Sequence, residues 1–352
     1  MWPKTHLTDL PGVKHPIIQA PMAGSTTVEL VAAVSNAGGI GSMGYSETPS
    51  ATIWEDAQKI RTLTDKPFNL NFFAHDAPAN KPEIIESARE RLRPFYSAAG
   101  LSEIPQDVSK PLLTFTEERL ELLLDIKPPL VSFHFGLPGS AAIESLKKAG
   151  CRILCSATTT AEAISLEQSG VDIVIAQGWE AGGHRGSFDV NHDDHGVGTM
   201  ALVPQIVDAV NIPVIAAGGI ADGRGIAAAL MLGASGVQMG TAFLSCAEAN
   251  VSDVHLEAIR NARDDDTRLT KAFSGRPARA RRNNYIESMA AQRLALPDFP
   301  TMYTLSDPLR KASDDTLDNR FLLYGQAAAL NREMPATELV QTLVAETRNL
   351  LG

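Results

Sequence analysis

The feature that most constrains the fold of this 352-residue chain is an alternation of short apolar segments with amphipathic ones. Eight segments have the length and composition of buried strands, at 17–20, 38–43, 68–73, 130–135, 152–156, 171–176, 212–217 and 236–240. Each is followed by sequence with helical spacing, and strands that alternate with helices form parallel sheets. Eight such units predict a (β/α)₈ TIM barrel. An open doubly wound sheet is the alternative, but no Gly-x-Gly-x-x-Gly fingerprint follows the first strand.

The pattern changes after residue 248. Segments 253–263 and 284–294 have helical spacing, whereas Pro297, Pro300 and Pro308 indicate a loop around Tyr303. Helical spacing returns in segments 318–330 and 336–351. We therefore predict an α/β protein in which residues 1–248 and 320–352 form the barrel. Residues 249–319 are expected to form a smaller, mostly helical capping domain inserted near the C-terminus.

Composition argues against several classes of function. A content of 44% hydrophobic and 20% charged residues is that of an ordinary globular protein. The formal net charge of −10 argues against a nucleic-acid partner, which would favour a basic surface. No apolar run approaches the roughly 20 residues needed to cross a bilayer, and the first residues lack the apolar core of a signal peptide. We expect a cytoplasmic protein without a membrane partner, and a homo-oligomer is compatible with the sequence.

Several charged or reactive clusters are interpreted without a function. The basic run 276–282 is expected to be a solvated loop, with a contact to an acidic substrate or a second subunit as the alternative. Asn-His-Asp-Asp-His at 191–195 favours a solvated loop over a metal site, and 264–266 indicates a solvated acidic face. Cys151, Cys155 and Cys246 fit no zinc or redox spacing and are predicted to be small buried residues. No metal is expected.

Candidate functional residues follow the strands directly, because barrels of this type carry their working groups at the C-terminal ends of the strands. In segment 173–186 an apolar strand enters a loop with four glycines, one Gln, one Glu, one His and one Arg. Glycines let a backbone approach a flat ligand closely, and His184 is the only side chain there that titrates near neutral pH. A tight turn with a solvated histidine is the alternative reading.

Glycines after the last two predicted strands suggest a phosphate site. The residues are Gly218, Gly219, Gly240 and Thr241. Their backbone N–H groups and one hydroxyl suit a phosphate dianion. The alternative is that the glycines only ease the turns between strand and helix. Asn71 and Gln177 follow other strands and offer carboxamides, which can serve both donors and acceptors of a flavin pyrimidine ring. Together these features predict a pocket for flavin mononucleotide (FMN).

Five ordered motifs resemble those of the nitronate monooxygenases, formerly called 2-nitropropane dioxygenases. They are Gln-Ala-Pro-Met-Ala-Gly at 19–24, Asn-Leu-Asn-Phe at 69–72, Val-Ser-Phe-His-Phe-Gly at 131–136, Ala-Gln-Gly-Trp-Glu-Ala-Gly-Gly-His-Arg-Gly at 176–186 and Ala-Ala-Gly-Gly-Ile-Ala-Asp at 216–222. The motifs cover most of residues 16–244, and the resemblance is weaker past 249. It implies an FMN-dependent enzyme that uses O₂ to oxidise alkyl nitronates, such as propionate 3-nitronate, to a carbonyl compound and nitrite.

The resemblance also implies roles for individual residues. It places His184 beside the flavin as the base that removes the α-proton of a neutral nitroalkane, a step that a nitronate does not need. His134 would donate a hydrogen bond to the nitro group, Tyr303 is a candidate wall of the substrate site, and Arg185 is expected to support the loop or to lie at the surface. The expected flavin-binding residues are Ala20, Pro21, Met22, Ala23, Gly24, Asn71, Gln177, Gly182, Gly183, Ala217, Gly218, Gly219, Gly240 and Thr241.

Three alternatives stay open. The nearest keeps the fold and FMN but takes electrons from NAD(P)H, as flavin-dependent enoyl-acyl-carrier-protein reductases and NADH:quinone reductases do. A barrel that binds a phosphorylated metabolite without redox chemistry would be colourless. A flavin carrier would be yellow but indifferent to nitronates. The motif at 131–136 favours the monooxygenase.

Overall fold

The computed structural model describes residues 5–79, 81–108, 114–189, 196–292, 294–312 and 319–352. Its main sheet contains β1 (Ile17–Gln19), β2 (Gly41–Tyr45), β3 (Phe68–Phe73), β4 (Leu130–His134), β5 (Arg152–Ala157), β6 (Ile173–Gln177), β8 (Val214–Ala217) and β9 (Gly236–Met239). The strand order is β1-β9-β8-β6-β5-β4-β3-β2, and every pairing is parallel. A bridge between Ile18 and Ile40 joins the two ends of this order. The predicted (β/α)₈ TIM barrel is confirmed.

Helices cover the outside of the barrel. They are α1 (Val28–Asn36), α2 (Ser50–Leu63), α4 (Glu117–Ile126), α5 (Ser140–Lys148), α6 (Thr160–Gln168), α7 (Thr199–Ala209), α8 (Gly223–Met231) and the C-terminal α13 (Ala336–Leu351). Two helices lie elsewhere: α3 (Pro82–Ala98) packs with the capping segment, and the short α9 (Thr241–Leu244) follows β9 at the strand ends. Threonine hydroxyls at Thr27, Thr116 and Thr159 accept a backbone N–H at the starts of α1, α4 and α6. These caps fix where the helices begin after their strands.

Side chains of each barrel strand alternate between two apolar layers, as the period of two requires. In β6, Ile173 and Ile175 belong to a cluster that fills the barrel interior. Val174 and Ala176 belong to the larger cluster that lies between the sheet and the helices. The interior cluster forms a floor, so the open space of the barrel lies above it at the carboxyl ends of the strands.

A second, antiparallel sheet joins the capping segment to the barrel. It contains β7 (Gly183–His184), β10 (Thr267–Thr270) and β11 (Ala278–Arg281), in the order β10-β11-β7. The capping segment also holds α10 (Asp253–Arg260), α11 (Asn284–Ala291) and α12 (Thr301–Lys311). The prediction of a mostly helical segment therefore missed this sheet, whose strands of two to four residues are stabilised by pairing across distant parts of the chain.

Helix α3 packs with the capping segment through its own apolar cluster, which includes Leu92, Phe273 and Tyr285. The Tyr96 hydroxyl donates to the carbonyl oxygen of Leu305 at 2.6 Å. The cap therefore rests on an extension that leaves the barrel between β3 and β4. The bounds of the two domains stay a prediction.

Two local expectations in the C-terminal third are wrong. Tyr303 lies in helix α12, not in a loop, and Pro308 is accommodated inside that helix. The chain from 319 to 330 is irregular except for a 3₁₀ turn at Ala328–Leu330, where helical spacing had predicted a helix. Its apolar residues Phe321 and Leu323 instead pack against the cap cluster, so their spacing reflects burial of an extended chain.

The basic run 276–282 is not a solvated loop. Arg276 is 1% exposed and Arg279 3% exposed, while Arg281 and Arg282 lie at the surface. Arg279 donates from Nε and Nη2 to the carbonyl oxygen of Trp179, at 3.1 and 2.8 Å. The run forms β11, in which Ala278, Arg279 and Ala280 are buried and only the last residue, Arg281, is exposed.

The three cysteines and the acidic segment 264–266 can be compared with their predictions. Cys151, Cys155 and Cys246 are buried and free, as predicted. Asp264 and Asp265 are exposed. Segment 191–195 lies outside the described residues, and within them no group of three or more His, Cys, Asp or Glu side chains could hold a metal. No helix in the described ranges is long and apolar enough to span a bilayer.

Candidate active site

A cavity of about 650 Å³ opens at the carboxyl ends of the barrel strands, beneath the cap. It brings together nearly all the residues that the sequence nominated: Ala20, Pro21, Met22, Ala23, Asn71, His134, Gln177, Gly182, Gly183, His184, Ala217, Gly218, Gly219, Gly240, Thr241 and Tyr303. Gly24 is the exception. It borders a second cavity of about 310 Å³ on the other side of the β1 loop, so its expected contact with a cofactor in the main cavity has no support.

His184 borders the main cavity at the junction of barrel and cap. Its strand β7 pairs with β11, where His184 faces Ala278. Aromatic rings surround the imidazole, with centroid distances of 5.7 Å to Phe135, 5.8 Å to Phe299 and 6.2 Å to Phe321. Nε2 is buried and has no hydrogen-bond partner among the described residues. The ring is therefore enclosed, and Nε2 has a hydrogen-bonding capacity that no described residue uses.

The same surroundings keep His184 neutral. Burial lowers its pKa to about 3, and the charges of His134, Arg276 and Arg310 act in the same direction. A neutral imidazole in an apolar site can accept a proton but resists keeping it. The surrounding aromatic rings argue against the alternative reading of a solvated loop histidine.

His134 lies beneath the β7 backbone. Its Nε2 is 3.1 Å from the carbonyl oxygen of His184, and its Nδ1 is 2.9 Å from the hydroxyl of Ser156. Since a carbonyl only accepts, Nε2 carries the proton and Nδ1 accepts from the serine. Burial lowers the pKa of His134 to about 4. Both ring nitrogens are thus engaged, and the expected hydrogen bond from His134 to a nitro group has no free N–H in this structure.

The carboxamides divide into supporting and available groups. Asn69 Nδ2 donates to Ser132 Oγ at 2.8 Å, and that hydroxyl donates to Asn71 Oδ1 at 2.8 Å. Asn71 Nδ2 makes no hydrogen bond to the described residues, and Asn71 lines the cavity. Gln177 instead holds the glycine-rich loop: its Nε2 donates to the His184 carbonyl at 3.0 Å, and its Oε1 accepts from Gly186 N at 2.7 Å. One carboxamide therefore faces the cavity, while the other fixes the loop.

The glycine turn after β8 is shaped by hydrogen bonds from α7. Gly218 and Gly219 have φ of +108° and +70°, values that side-chain-bearing residues rarely adopt. The Thr199 hydroxyl donates to the Gly218 carbonyl at 2.8 Å, and the Glu180 carboxylate accepts the Thr199 N–H at the start of α7. Glu180 thereby supplies the cap that Gly198, the residue before the helix, cannot.

Sequence reasoning missed several cavity residues from the cap and the chain after it. They are Phe299, Arg310, Phe321 and Tyr324, together with Phe73 from β3 and Gln238 from β9. The guanidinium of Arg310 lies 3.5 Å from the centroid of the Tyr303 ring. No motif marked these residues, because they meet only through the cap fold. The one available signal was Gln238, a polar residue inside an apolar strand, whose Oε1 is buried and without a partner among the described residues.

Arg185, for which a supporting and a surface role were both considered, is buried. Its Nη1 donates to the carbonyl oxygen of Gln177 at 2.5 Å, and its guanidinium lies 5.5 Å from the centroid of the Trp179 ring. The side chain therefore supports the loop that carries His184.

A parallel barrel with a histidine, carboxamides and glycine turns around one cavity at its strand ends belongs to the class of (β/α)₈-barrel enzymes. A family model described as nitronate monooxygenase matches residues 4–346. A probable nitronate monooxygenase of Staphylococcus aureus (strain MSSA476) is 40% identical, with 100% of this chain and 99% of the relative covered. The chain belongs to the nitronate monooxygenase family, and it is an oxidoreductase.

Solved structures agree with this assignment. A nitroalkane oxidase from Streptomyces ansochromogenes superposes with a TM-score of 0.91 at 37% identity, covering 98% of this chain and 99% of that one. FabK from Thermotoga maritima superposes with a TM-score of 0.74 at 30% identity, covering 99% and 97%. The chain is thus similar along its whole length to two kinds of barrel protein.

Proposed function

We propose that this protein is an FMN-dependent nitronate monooxygenase that oxidises small alkyl nitronates with O₂. The observation that carries the proposal is the cavity-facing His184, whose Nε2 is free of protein partners and whose ring is enclosed by aromatic side chains. Such a nitrogen can take a carbon-bound proton from a substrate held beside it. Membership of the nitronate monooxygenase family supports the same reaction.

The residues around the cavity fit FMN. Turn Gly218–Gly219 has no side chains, and Gly240 precedes the short helix α9, so backbone N–H groups at both places suit the phosphate. The unpartnered Gln238 Oε1 and the Asn71 amide suit the polar edges of a flavin ring. When bound, FMN would accept electrons from the substrate and pass them to O₂.

The proposed substrate site lies between His184 and the cap. The rings of Phe73, Phe299 and Phe321 give it apolar walls that suit a short alkyl chain and exclude water. Arg310 and Arg320 also border the cavity, and their positive charge favours an anion such as a nitronate. Two nitronate anions and one O₂ yield two carbonyl compounds and two nitrite ions, which balances atoms and charge.

His184 acts on only one form of the substrate in this scheme. A neutral nitroalkane must lose its α-proton, and the proton goes to Nε2 of His184. A nitronate has already lost that proton, so it needs the site for binding and orientation alone. The protein's own contribution is to hold the substrate, keep His184 neutral and exclude water.

The second candidate is an FMN-dependent reductase that uses NAD(P)H. It is favoured by the similarity to FabK and by the extent of the cavity, which continues past the glycine turns to Ser252, His255 and Tyr324. This second end of the cavity has room and polar groups for part of a nicotinamide nucleotide.

The cofactor proposal is tested by the purified protein itself. Its visible spectrum should show the two flavin absorption bands, and chromatography of the acid-released cofactor should give FMN in about one copy per chain. A colourless protein that takes up no FMN would contradict both flavin candidates and favour a barrel without redox chemistry.

A further inference from the structure

Arg276 is the largest fully buried side chain of the described residues, and it comes from the cap. It lies just before β11, and its Nη2 donates to the carbonyl oxygen of Phe188 at 2.8 Å. Nε and Nη1 are buried without a hydrogen-bond partner in the described part of the chain. Burying a guanidinium in this way costs free energy, which another interaction must offset.

One such interaction is with Phe135, the residue after β4; the carboxylates named below supply others. The guanidinium carbon of Arg276 lies 4.0 Å from the centroid of the Phe135 ring, a cation–π contact between two buried side chains. Phe135 has a φ of +78°, a conformation that is strained for an aromatic residue. The surrounding structure must therefore hold it there.

Phe135 connects this contact to the candidate catalytic histidine. Its ring is nearly perpendicular to the His184 ring, at 84° and 5.7 Å, and it lies 4.7 Å from the ring of His134. Its ring also stacks on Phe73, at 4.6 Å. The chain leading to Arg276 is set by Gly275, whose φ is +84° and whose close contact with the backbone of 297–299 leaves no space for a Cβ.

We propose that Arg276 is a positioning residue for the active site: its buried guanidinium holds the Phe135 ring in its strained conformation against His184. The assignment of His184 as catalytic rests on the proposed function, but the contact itself does not. The cap therefore contributes to the active site through Arg276 as well as through Phe299, which lines the cavity.

The positive charge of Arg276 has a second effect on the same histidines. It disfavours protonation of His134, His184 and His75, whose pKa values are all lowered, chiefly by burial. The other charged groups that act on His184 and His134 are Arg310 and Arg185, and the acidic groups that act on Arg276 are Glu162, Asp189, Asp298 and Asp76. Removal of the Arg276 charge should therefore make His184 easier to protonate.

The test uses ¹⁵N-labelled histidine in the whole protein, followed by NMR from pH 8 to the pH at which each variant begins to unfold. Arg276→Met removes the charge and keeps an unbranched side chain, whereas Arg276→Lys keeps the charge. Arg279→Met is the matched control, because Arg279 is also buried in the same segment but lies over Trp179.

We expect Arg276→Met to shift the His184 ring signals at pH 8 and to move the onset of its protonation up by about one pH unit. Arg276→Lys should leave the pH at which His184 protonation begins unchanged. This variant can still be measured if Arg276→Met does not fold. The proposal is supported if either change occurs in Arg276→Met and does not occur in Arg279→Met. His184 signals that match the wild type at every pH in Arg276→Met and Arg276→Lys would overturn it.

Activity gives a separate readout. At pH 6, where His184 is neutral in both proteins, we expect Arg276→Met to lose about tenfold in kcat on a neutral nitroalkane because the His184 ring is less well positioned, with less than a twofold change on the nitronate. If the wild type oxidises neither compound, the proposed function fails, while the NMR comparison still decides the role of Arg276.

Discussion

The Nε2–H of His134 donates a 3.1 Å hydrogen bond to the backbone carbonyl of His184. Gln177 Nε2 donates to the same oxygen at 3.0 Å. Two side chains from neighbouring regions of the barrel therefore fix the backbone of His184, while its own Nε2 stays free. The two histidines differ in this arrangement: His134 supports the backbone, and His184 borders the cavity.

Replacing His184 should separate the two substrate forms. In His184→Asn we expect the rate on a neutral nitroalkane to fall by about 10²–10⁴-fold, because the general base is gone. The rate on the corresponding nitronate should fall less than about tenfold. Steady-state oxygen uptake with both forms measures the ratio, and equal losses would show that His184 is not the base.

Replacing His134 should affect both forms alike. In His134→Leu the His184 carbonyl loses one of its two donors, so the β7 backbone is less well fixed and kcat should fall about tenfold on either substrate. Ser156→Ala is the milder control, since it removes only the hydrogen bond to Nδ1. A loss confined to the neutral nitroalkane would instead place His134 in proton transfer.

Two substitutions at Gly240 test the phosphate site, because the side chains they introduce differ in charge but are similar in size. A Cβ there would lie 3.5 Å from Ala20 Cβ and 3.8 Å from Met22 Sδ, so a side chain can start without a clash. Gly240→Glu should release most of the flavin because a carboxylate repels the phosphate, whereas Gly240→Gln should retain more of it. Flavin content per chain after gel filtration gives the result, and equal retention in both variants would place the phosphate elsewhere.

Acid should destabilise the fold through its buried histidines. The folded-state pKa values of His134 and His184, about 4 and about 3, lie below the unfolded value of about 6.5. Below pH 6.5 the unfolded chain therefore binds protons that the folded protein does not, and stability falls as the pH drops towards 4. Each histidine should contribute about 2 kcal/mol of this loss at pH 5.

Urea unfolding at pH 7 and pH 5 measures this loss, and His134→Gln is the informative variant. It removes one of the two titrating groups, so the difference between the two pH values should shrink by about 2 kcal/mol. An unchanged difference would mean that His134 is protonated in the folded protein.

The barrel could be predicted from sequence because each strand is an apolar run that is buried on both faces. The eight predicted strands fall on the eight observed ones, with ends that differ by at most three residues. The site could be predicted for the same reason: in a parallel barrel the residues that follow the strands lie at one rim. Asn69 and Asn71, polar residues on one face of β3, needed partners, and both bond to Ser132.

The fold of the cap could not be predicted in the same way. Strand β7 is two residues long, and nothing local distinguishes Gly183 and His184 from a turn until β11 pairs with them. Arg276 and Arg279 follow a charge pattern that is usually solvated, and only the fold shows that aromatic rings and carbonyl oxygens receive them. Tyr303 was expected in a loop because three prolines surround it, yet α12 accommodates Pro308.

The most direct test of the central claim is oxygen uptake and nitrite release by the yellow, purified protein with a short alkyl nitronate, with NADH offered separately. We predict rapid oxygen uptake from the nitronate with about two nitrite ions released per O₂ consumed, and no comparable oxidation of NADH. Fast bleaching of the flavin by NADH, with no turnover of the nitronate, would contradict it and move the protein to the reductases.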